Sequence, residues 1–180
     1  MPGGAAAGIA VTDQPLAALR PAADIVALGV IAGLARHARP GAPMEVIERA
    51  EITPDLGIVG DHRGRRKPGS SGKRQVTLIE RSDWAAACAD VGVDLPWWNR
   101  RCNVAVDGFD LPQVPGTRLR LGRDVVLEVT RFTDPCVRME ALVPGLFDAL
   151  TVDWRGGVCS RVVQGGTVTV GDVIRVEGLA

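Results

Sequence analysis

The sequence has no excess of charge of either sign, because 21 lysines and arginines are balanced by 21 aspartates and glutamates. A chain without net positive charge has no overall field that attracts nucleic acid, so any anion binding must come from local clustering. The sequence also lacks a C-x-x-C pair and a histidine pair at zinc-site spacing, and its cysteines stand apart at positions 88, 102, 136 and 159. These absences argue against a nucleic-acid-binding protein and against a structural zinc site.

Apolar segments that direct a protein to a membrane are missing as well. The first eight residues show no basic stretch followed by a continuous apolar run, so we expect no secretory signal. The longest apolar run, residues 25–35, falls well short of the roughly 20 residues that a membrane span needs. We therefore expect a cytoplasmic protein with reduced thiols and no membrane partner.

The composition is typical of one turn-rich domain with a substantial core, since 46% of the residues are hydrophobic and 22 glycines accompany 12 prolines. Residues 1–8 consist mostly of glycine and alanine, and we expect them to form a flexible tail. Residues 9–180 are expected to form a single domain, because no repeat, heptad pattern or low-complexity linker divides them.

Short segments rich in β-branched residues, separated by turn residues, predict a mainly β (α+β) protein. Strands are predicted at residues 25–31, 45–52, 75–79, 103–106, 118–121 and 125–130, with two final strands around Gly165-Gly166 and Gly171-Asp172. A helix is predicted over residues 84–89, with Ser82-Asp83 as its cap and Gly92 as its end, and a second short helix over residues 137–150. Strands this short and evenly spaced predict a closed β-barrel or a strongly bent sheet.

Positive charge is concentrated in one segment, residues 62–74, which holds six lysines or arginines and no carboxylate. Its glycines would let backbone N–H groups approach a ligand, and arginine forks match phosphate oxygens. A solvated loop that keeps the protein soluble explains the same composition. At the start of this segment, Asp61 could orient His62 as a proton donor or metal ligand, although Asp61 is better explained as a turn residue.

Two further groups of residues suggest binding chemistry. Strand alternation would place Arg101 and Asn103 on one face, where a guanidinium and an amide suit a heterocycle or phosphate, although a surface ion pair explains Arg101 equally well. Cys136 follows Pro135, and Arg131, Arg138 or the basic segment could favour its thiolate. For an isolated cysteine burial is the default, and packing is the better explanation of Cys88 and Cys159.

An ordered series of motifs resembles the MOSC domain, the molybdenum cofactor sulfurase C-terminal domain, in its stand-alone bacterial form. The series extends over most of the chain, from about Val26 to Val176, and no single motif is specific. The motifs are Gly57-x-x-Gly60-Asp61, Arg74-Gln75-Val76-Thr77-Leu78-Ile79, Arg101-x-Asn103, Gly108-x-Asp110-Leu111, Gly116-x-x-Leu119-x-Leu121-Gly122, Pro135-Cys136, Arg155-Gly156-Gly157 and Gly165-Gly166-x-Val168-x-x-Gly171-Asp172.

The resemblance implies a barrel-like fold and one cysteine, Cys136, that either binds molybdenum or carries sulfur for it. It also implies contacts with the phosphate and pterin of molybdopterin from Arg74, Gln75, Arg101, Asn103 and Arg155. The stand-alone relatives imply reduction of small N-hydroxylated or other N–O compounds, with His62 as a candidate for proton delivery. A sulfur-carrier or cofactor-delivery module without turnover of its own is the alternative.

The chain departs from larger relatives in ways that imply partners. It has no aminotransferase-like domain with a pyridoxal-phosphate lysine, so a sulfur donor such as a cysteine desulfurase would be a separate protein. It has no flavin or iron–sulfur motif either, so electrons would come from a separate electron-transfer protein. The segment 62–74 is also more basic than the general pattern of the family.

Overall fold

Eleven β-strands and three short α-helices make up the regular structure of residues 28–178, the part of the chain that the computed structural model describes. The strands are β1 (Gly29–Arg36), β2 (Glu45–Ile47), β3 (Arg49–Thr53), β4 (Gly57–Ile58), β5 (Val76–Glu80), β6 (Val104–Asp107), β7 (Arg118–Leu121), β8 (Val125–Phe132), β9 (Val158–Gln164), β10 (Gly166–Thr169) and β11 (Val173–Val176). The helices are α1 (Arg81–Asp90), α2 (Val137–Leu142) and α3 (Leu146–Ala149), with 3-10 turns at Trp97–Arg100 and Val152–Trp154. The predicted tail, residues 1–8, and the predicted domain start lie outside the described residues.

Seven strands close into a barrel. Their order is β1-β6-β5-β9-β8-β7-β11, and β11 pairs back onto β1, where Gly29 lies opposite Ile174. All neighbours are antiparallel except β5 and β6, which are parallel and are connected through α1. A smaller sheet, β10-β3-β4, lies outside the ring, and β2 extends the barrel sheet beside β1. The predicted mainly β, barrel-like fold is therefore confirmed.

The barrel has an apolar interior and a second apolar layer on one outer side. Alternating residues of the strands, such as Leu34, Leu78 and Leu127, are fully buried inside. Their neighbours Ala35 and Ile79 point the other way and are also buried, because the helices pack over this side. The helices contribute Trp84, Ala87, Met139 and Leu146 to this outer layer, and Leu150 joins it directly after α3. Strands β1, β5 and β6 are thus covered on both faces.

Several predicted boundaries were wrong, each for a local reason. The strand predicted at 45–52 is interrupted at Glu48, and its halves join different sheets as β2 and β3. Ser82 and Asp83 do not cap α1, because the helix begins at Arg81 with Glu80 in the cap position. The helix predicted over 137–150 divides into α2 and α3 around Pro144. The proline ring disfavours helical geometry at the residue before it, and Val143 is accordingly extended.

The remaining boundaries agree more closely with the sequence. Helix α1 ends as predicted before Gly92, which adopts a left-handed conformation with φ of 72°. Residues 25–27 of the first predicted strand lie outside the described part of the chain, and β1 continues to Arg36. Within residues 28–178 no helix is long and apolar enough to cross a membrane.

Gly157 provides a test of this fold, because it has a left-handed φ of 84° and a Cβ there would lie 2.1 Å from the Leu78 carbonyl oxygen. We expect Gly157→Ala to lower the free energy of unfolding by about 3 kcal/mol or more, since strain and overlap with backbone act together. Gly171→Ala is the matched control: its φ is 94° and a Cβ would meet no atom within 4 Å. The control should cost only about 1 kcal/mol in urea unfolding. Equal losses for the two variants would contradict the packing of β9 against β5.

Candidate functional site

Cys136 lies on the surface, directly before α2, at the end of the segment that leads out of β8. The other cysteines, Cys88, Cys102 and Cys159, are buried, in agreement with the prediction that Cys88 and Cys159 serve packing. An exposed thiol can reach a ligand or a partner protein without opening the core. Cys136 is therefore the one cysteine of residues 28–178 that is open to outside chemistry.

Arg63, Arg101 and Arg138 lie near this thiol, and Arg74 lies near Arg63. We call these four arginines the cationic cluster. Partial burial lowers the pKa of Arg63, the charges of Arg74 and Arg138 lower it further, and Cys136 and Asp61 act in the opposite direction. The pKa of Arg101 is lowered in the same way by burial, then by Arg138 and Arg63, against Asp61 and Cys136. Guanidinium groups stay protonated despite such shifts. The cluster thus concentrates positive charge beside Cys136.

Within residues 28–178 this positive charge lacks an ion-pair partner, although the buried carboxylate of Asp61 acts on Arg63 and Arg101 from a longer distance. Among residues 28–178 none of the four arginines of the cationic cluster forms an ion pair with a carboxylate. Arg74 Nε and Arg101 Nη2 are buried and lack any hydrogen-bond partner. Buried donors without acceptors are costly, and a bound anion would satisfy them. Arg131, by contrast, is paired with Asp134 and contributes no free charge to the site.

Asn103 supports the site from within. Its Oδ1 accepts hydrogen bonds from the Thr77 N–H (3.1 Å) and hydroxyl (3.0 Å). Its Nδ2 donates to the Ala35 carbonyl (3.2 Å) and to Asp61 Oδ2 (2.9 Å). All four hydrogen bonds open to the amide are therefore made inside the protein. Asn103 ties β5 and β1 to the loop of Asp61 and has no free group for a ligand.

Asp61 is a buried turn residue, as the sequence favoured. Its Oδ1 accepts the Arg63 N–H at 2.7 Å, and its Oδ2 accepts the His37 N–H at 3.3 Å in addition to the Asn103 amide. The carboxylate thereby fixes the backbone from which Arg63 projects. The strand alternation predicted for Arg101 and Asn103 was wrong, because β6 begins only at Val104 and Arg101 has a left-handed φ of 64°.

Gln75 plays a similar supporting role. Its Nε2 donates to the carbonyls of Pro54 (2.6 Å) and Gly64 (3.4 Å), and its Oε1 accepts the Val162 N–H at 3.0 Å. The side chain is buried and joins β9 to the start of residues 62–74, which we call the basic loop. Gln75 and Asn103 thus support the backbone around the candidate site, whereas Arg74 and Arg101 belong to the cationic cluster.

Arg155 does not join the cationic cluster. Its Nη1 pairs with Asp90 at 2.5 Å at the end of α1, and its charge acts on Asp83. It lies beside a separate cavity of about 210 Å³ whose lining includes Glu80, Asp83, Asp110 and Asp153. Of the five predicted cofactor-binding residues, Arg101 lies near Cys136 and Arg74 lies near Arg63. Gln75 and Asn103 act as supports, and Arg155 lies elsewhere.

His62 is exposed at the edge of a cavity of about 670 Å³ that Asp61 and Arg63 also line. Its N–H donates to the His37 carbonyl at 2.8 Å, and the two imidazole rings meet edge to face with centroids 6.2 Å apart. No sequence pattern pointed to His37, which is buried with its Nδ1 3.3 Å from Asp61 Oδ2. Burial lowers the pKa of His37, which favours its neutral form.

A groove of about 340 Å³ opens beside the cationic cluster. Arg101 and Arg138 supply its charged side, and Trp98, Met139 and Leu142 supply its apolar side. An aromatic and a thioether suit a flat ring, and guanidinium groups suit an anion. The groove therefore fits a ligand that combines a heterocycle with a phosphate.

Arg100 holds the backbone that leads to Cys136, and sequence reasoning missed this role. The residue is buried, and its Nη2 donates to the Thr133 carbonyl at 2.7 Å, three residues before Cys136. No carboxylate among residues 28–178 pairs with it. In the sequence Arg100 and Arg101 are adjacent and alike, and only the 3-10 turn that sends one inward and the other to the groove distinguishes them.

Comparison with known proteins places this geometry in a wider group. The family model of the MOSC domain matches residues 58–175. Similar solved structures include the YuaD protein from Bacillus subtilis, with a TM-score of 0.67 and 22% identity over 83% of this chain and 95% of that one. For YiiM from Geobacillus stearothermophilus the TM-score is 0.63 and the identity is 13%, over 82% of this chain and 74% of that one. For YiiM from Escherichia coli the TM-score is 0.54 and the identity is 17%, over 84% of this chain and 68% of that one. At such identities these structures show the fold alone. A search of curated proteins gives no significant match.

Glu80 lines the cavity that it shares with Asp83, Asp110 and Asp153, and its carboxyl group should make the stability of the fold depend on pH. Burial, with smaller contributions from Asp83 and Asp110, raises the pKa of Glu80 from 4.5 to about 7, although the Leu111 N–H donates to its Oε1 at 2.8 Å. The folded state therefore favours the protonated form, and this contribution to stability is lost as the pH rises from 4.5 to about 7.

We expect Glu80→Gln to stabilise the protein at pH 8 by about 1 kcal/mol, a figure discounted because the side chain is only half-buried. The gain should vanish near pH 4.5, where the wild-type carboxyl is protonated in the folded state. Glu51→Gln, at an exposed position in β3, is the control and should show no such pH dependence. Urea unfolding at the two pH values measures both, and a gain that does not change with pH would contradict the raised pKa.

Proposed function

The chain belongs to the MOSC domain family, and on that premise we propose that it binds the molybdenum cofactor with Cys136 as a ligand of the metal. The observation that carries the proposal is the meeting of an exposed thiol with the cationic cluster. The family is associated with this cofactor, and thiolate is a soft ligand suited to such a metal.

The residues beside Cys136 fit the chemical groups of the cofactor. Arg74 Nε and Arg101 Nη2 are buried donors without acceptors, and phosphate oxygens are acceptors of the right kind. The apolar side of the groove, with Trp98 and Met139, offers a surface for the pterin ring. The cofactor would supply a redox-active metal, which no side chain of a protein can provide.

The chain itself would bind and orient. Arg101 and Arg138 would hold the anionic end of the ligand, while Asn103 and Asp61 keep the loop of Arg63 in place. Arg100 and Pro135 would restrict the backbone of Cys136 so that its sulfur keeps one direction. His62 is our candidate for moving a proton to or from substrate, because imidazole is suited to proton transfer near neutral pH.

We propose further that the bound cofactor serves reduction of small N-hydroxylated or other N–O compounds. Such a reaction takes two electrons and two protons, breaks the N–O bond and releases water. The electrons would come from a separate electron-transfer protein. We place this chemistry in the cytoplasm, where an exposed thiol such as Cys136 stays reduced.

The exposure of Cys136 favours a second candidate function, that of a sulfur carrier or cofactor-delivery module. A cysteine desulfurase needs access to the acceptor thiol, and Cys136 offers that access whereas Cys88, Cys102 and Cys159 do not. In this role the thiolate would accept a sulfur atom as a persulfide and pass it on without turnover of a substrate.

The first test is Cys136→Ser, purified from a host that makes the cofactor. We expect wild-type protein to contain molybdenum by elemental mass spectrometry and the variant to lose most of it, because a hydroxyl is a poor ligand for a soft site. Cys88→Ala, which changes a buried cysteine within an alanine-rich helix, is the control and should keep the metal. Absence of molybdenum from the wild type would refute the proposal.

The same proteins separate the two candidate functions. After incubation with a cysteine desulfurase and free cysteine, a carrier would show one added sulfur atom at Cys136 by mass spectrometry. A metal-binding reductase would show molybdenum and no such adduct.

The second test concerns Arg101. We expect Arg101→Gln to reduce cofactor retention after gel filtration about tenfold, because a charge-assisted bond to phosphate is lost. The cofactor-free variant should be at least as stable as wild type, since one of several mutually repelling cations is removed. Arg175→Gln, an exposed arginine of β11, is the control for lost charge. A variant that unfolds more readily and keeps its cofactor would contradict a binding role.

A further inference from the structure

A second basic cavity, of about 200 Å³, adjoins the cationic cluster. Arg63 and Arg74 belong to both, and the cavity adds Arg65, Lys67, Ser70 and Lys73 from the basic loop. None of these added cations pairs with a carboxylate within residues 28–178. Positive charge therefore continues from Cys136 into a concave surface with a hydroxyl group.

The basic loop is held at several points along its length. The Arg63 N–H donates to Asp61 and the Arg66 N–H donates to the Asp55 carbonyl, each at 2.7 Å. A Cβ on Gly64 would lie 2.4 Å from the Leu56 carbonyl oxygen, so the loop backbone lies directly against the residues after β3. The Lys73 carbonyl accepts a hydrogen bond from the Thr130 hydroxyl. Ligand binding would therefore cost little conformational entropy, because the loop is already ordered, and small-ligand sites are usually preformed in this way.

The number of cations exceeds what one phosphate needs. A phosphate monoester carries at most two negative charges, and the four arginines of the cationic cluster already surpass that. Arg65, Lys67 and Lys73 add three further positive charges beside the cluster, and none of them has a carboxylate partner among residues 28–178. A second anionic group in the adjoining cavity would balance this charge.

We propose that this cavity is a subsite for a pyrophosphate group. Ser70 supplies a hydroxyl group, and Arg65, Lys67 and Lys73 supply charge at a concave surface of suitable size. The inference extends the proposed function, because a ligand that reaches from Cys136 past Arg63 would enter this cavity. The group would belong to a form of the cofactor that is extended through pyrophosphate to a nucleotide, or to a separate phosphorylated molecule.

The probe is inorganic pyrophosphate, titrated calorimetrically into cofactor-free protein at fixed ionic strength, with orthophosphate as a second probe. The variant Arg65→Ala/Lys73→Ala removes two exposed cations of the cavity, and Arg123→Ala/Arg175→Ala removes two exposed cations elsewhere. We expect the first variant to weaken pyrophosphate binding about tenfold or more and to change orthophosphate binding little. The second should leave both unchanged. Equal pyrophosphate affinities in the two variants would overturn the subsite.

The outcome does not depend on molybdenum. Cys136→Ser should bind pyrophosphate like wild type, so a failure of the metal proposal leaves the subsite intact and is recognised separately. The source follows from the cofactor extracted from wild-type protein: a nucleotide released by mild hydrolysis, one for each molybdenum, assigns the subsite to the extended cofactor. Selective pyrophosphate binding with no nucleotide in the extract assigns it to a separate phosphorylated ligand.

Discussion

The hydrogen bonds of Asn103 are the interaction on which the site depends. One amide connects β5 through Thr77, β1 through Ala35 and the basic loop through Asp61. Asp61 in turn fixes the backbone of Arg63, so the position of a cation near Cys136 is set by a buried network rather than by a surface contact. Because every member is satisfied, the network is rigid and orients the loop without needing a ligand.

Around this fixed frame the protein segregates charge. Its totals are equal, yet within residues 28–178 Arg63, Arg74, Arg101 and Arg138 lie together without a carboxylate in ion-pair contact. Another cavity gathers the carboxyl groups of Glu80, Asp83, Asp110 and Asp153. Such an arrangement costs folding energy, because like charges repel and partly buried ions lose hydration. Such destabilising arrangements are found at binding sites, where a bound ligand stabilises the folded state. The overall neutrality of the chain thus conceals a local concentration of positive charge.

The sequence predicted most of the barrel and some of the site. Alternation and turn residues were sufficient for β7 and β8, whose hairpin is a local contact, and for α1 with its glycine end. They failed at Glu48 and Pro144, where one predicted element became two, because the choice between sheets depends on distant partners. Arg74, Arg101 and Cys136 were predicted as site residues, whereas Arg100 and His37 were not. Burial sets Arg100 and His37 apart, and the sequence around them does not indicate that burial.

By itself the sequence determined the family, the barrel, the basic character of residues 62–74 and the choice of Cys136, because these rest on local composition and on the order of motifs. Only the tertiary structure decided which residues meet. It brought Arg63 to Cys136 from a segment more than sixty positions away, turned Gln75 and Asn103 inward as supports, and left Arg155 with Asp90. The physical reason is that the pairing of β1 with β11 closes the barrel and brings distant segments together. Hydrogen bonds over long sequence distances, such as those of Asn103 and Gln75, then decide which side chains remain free.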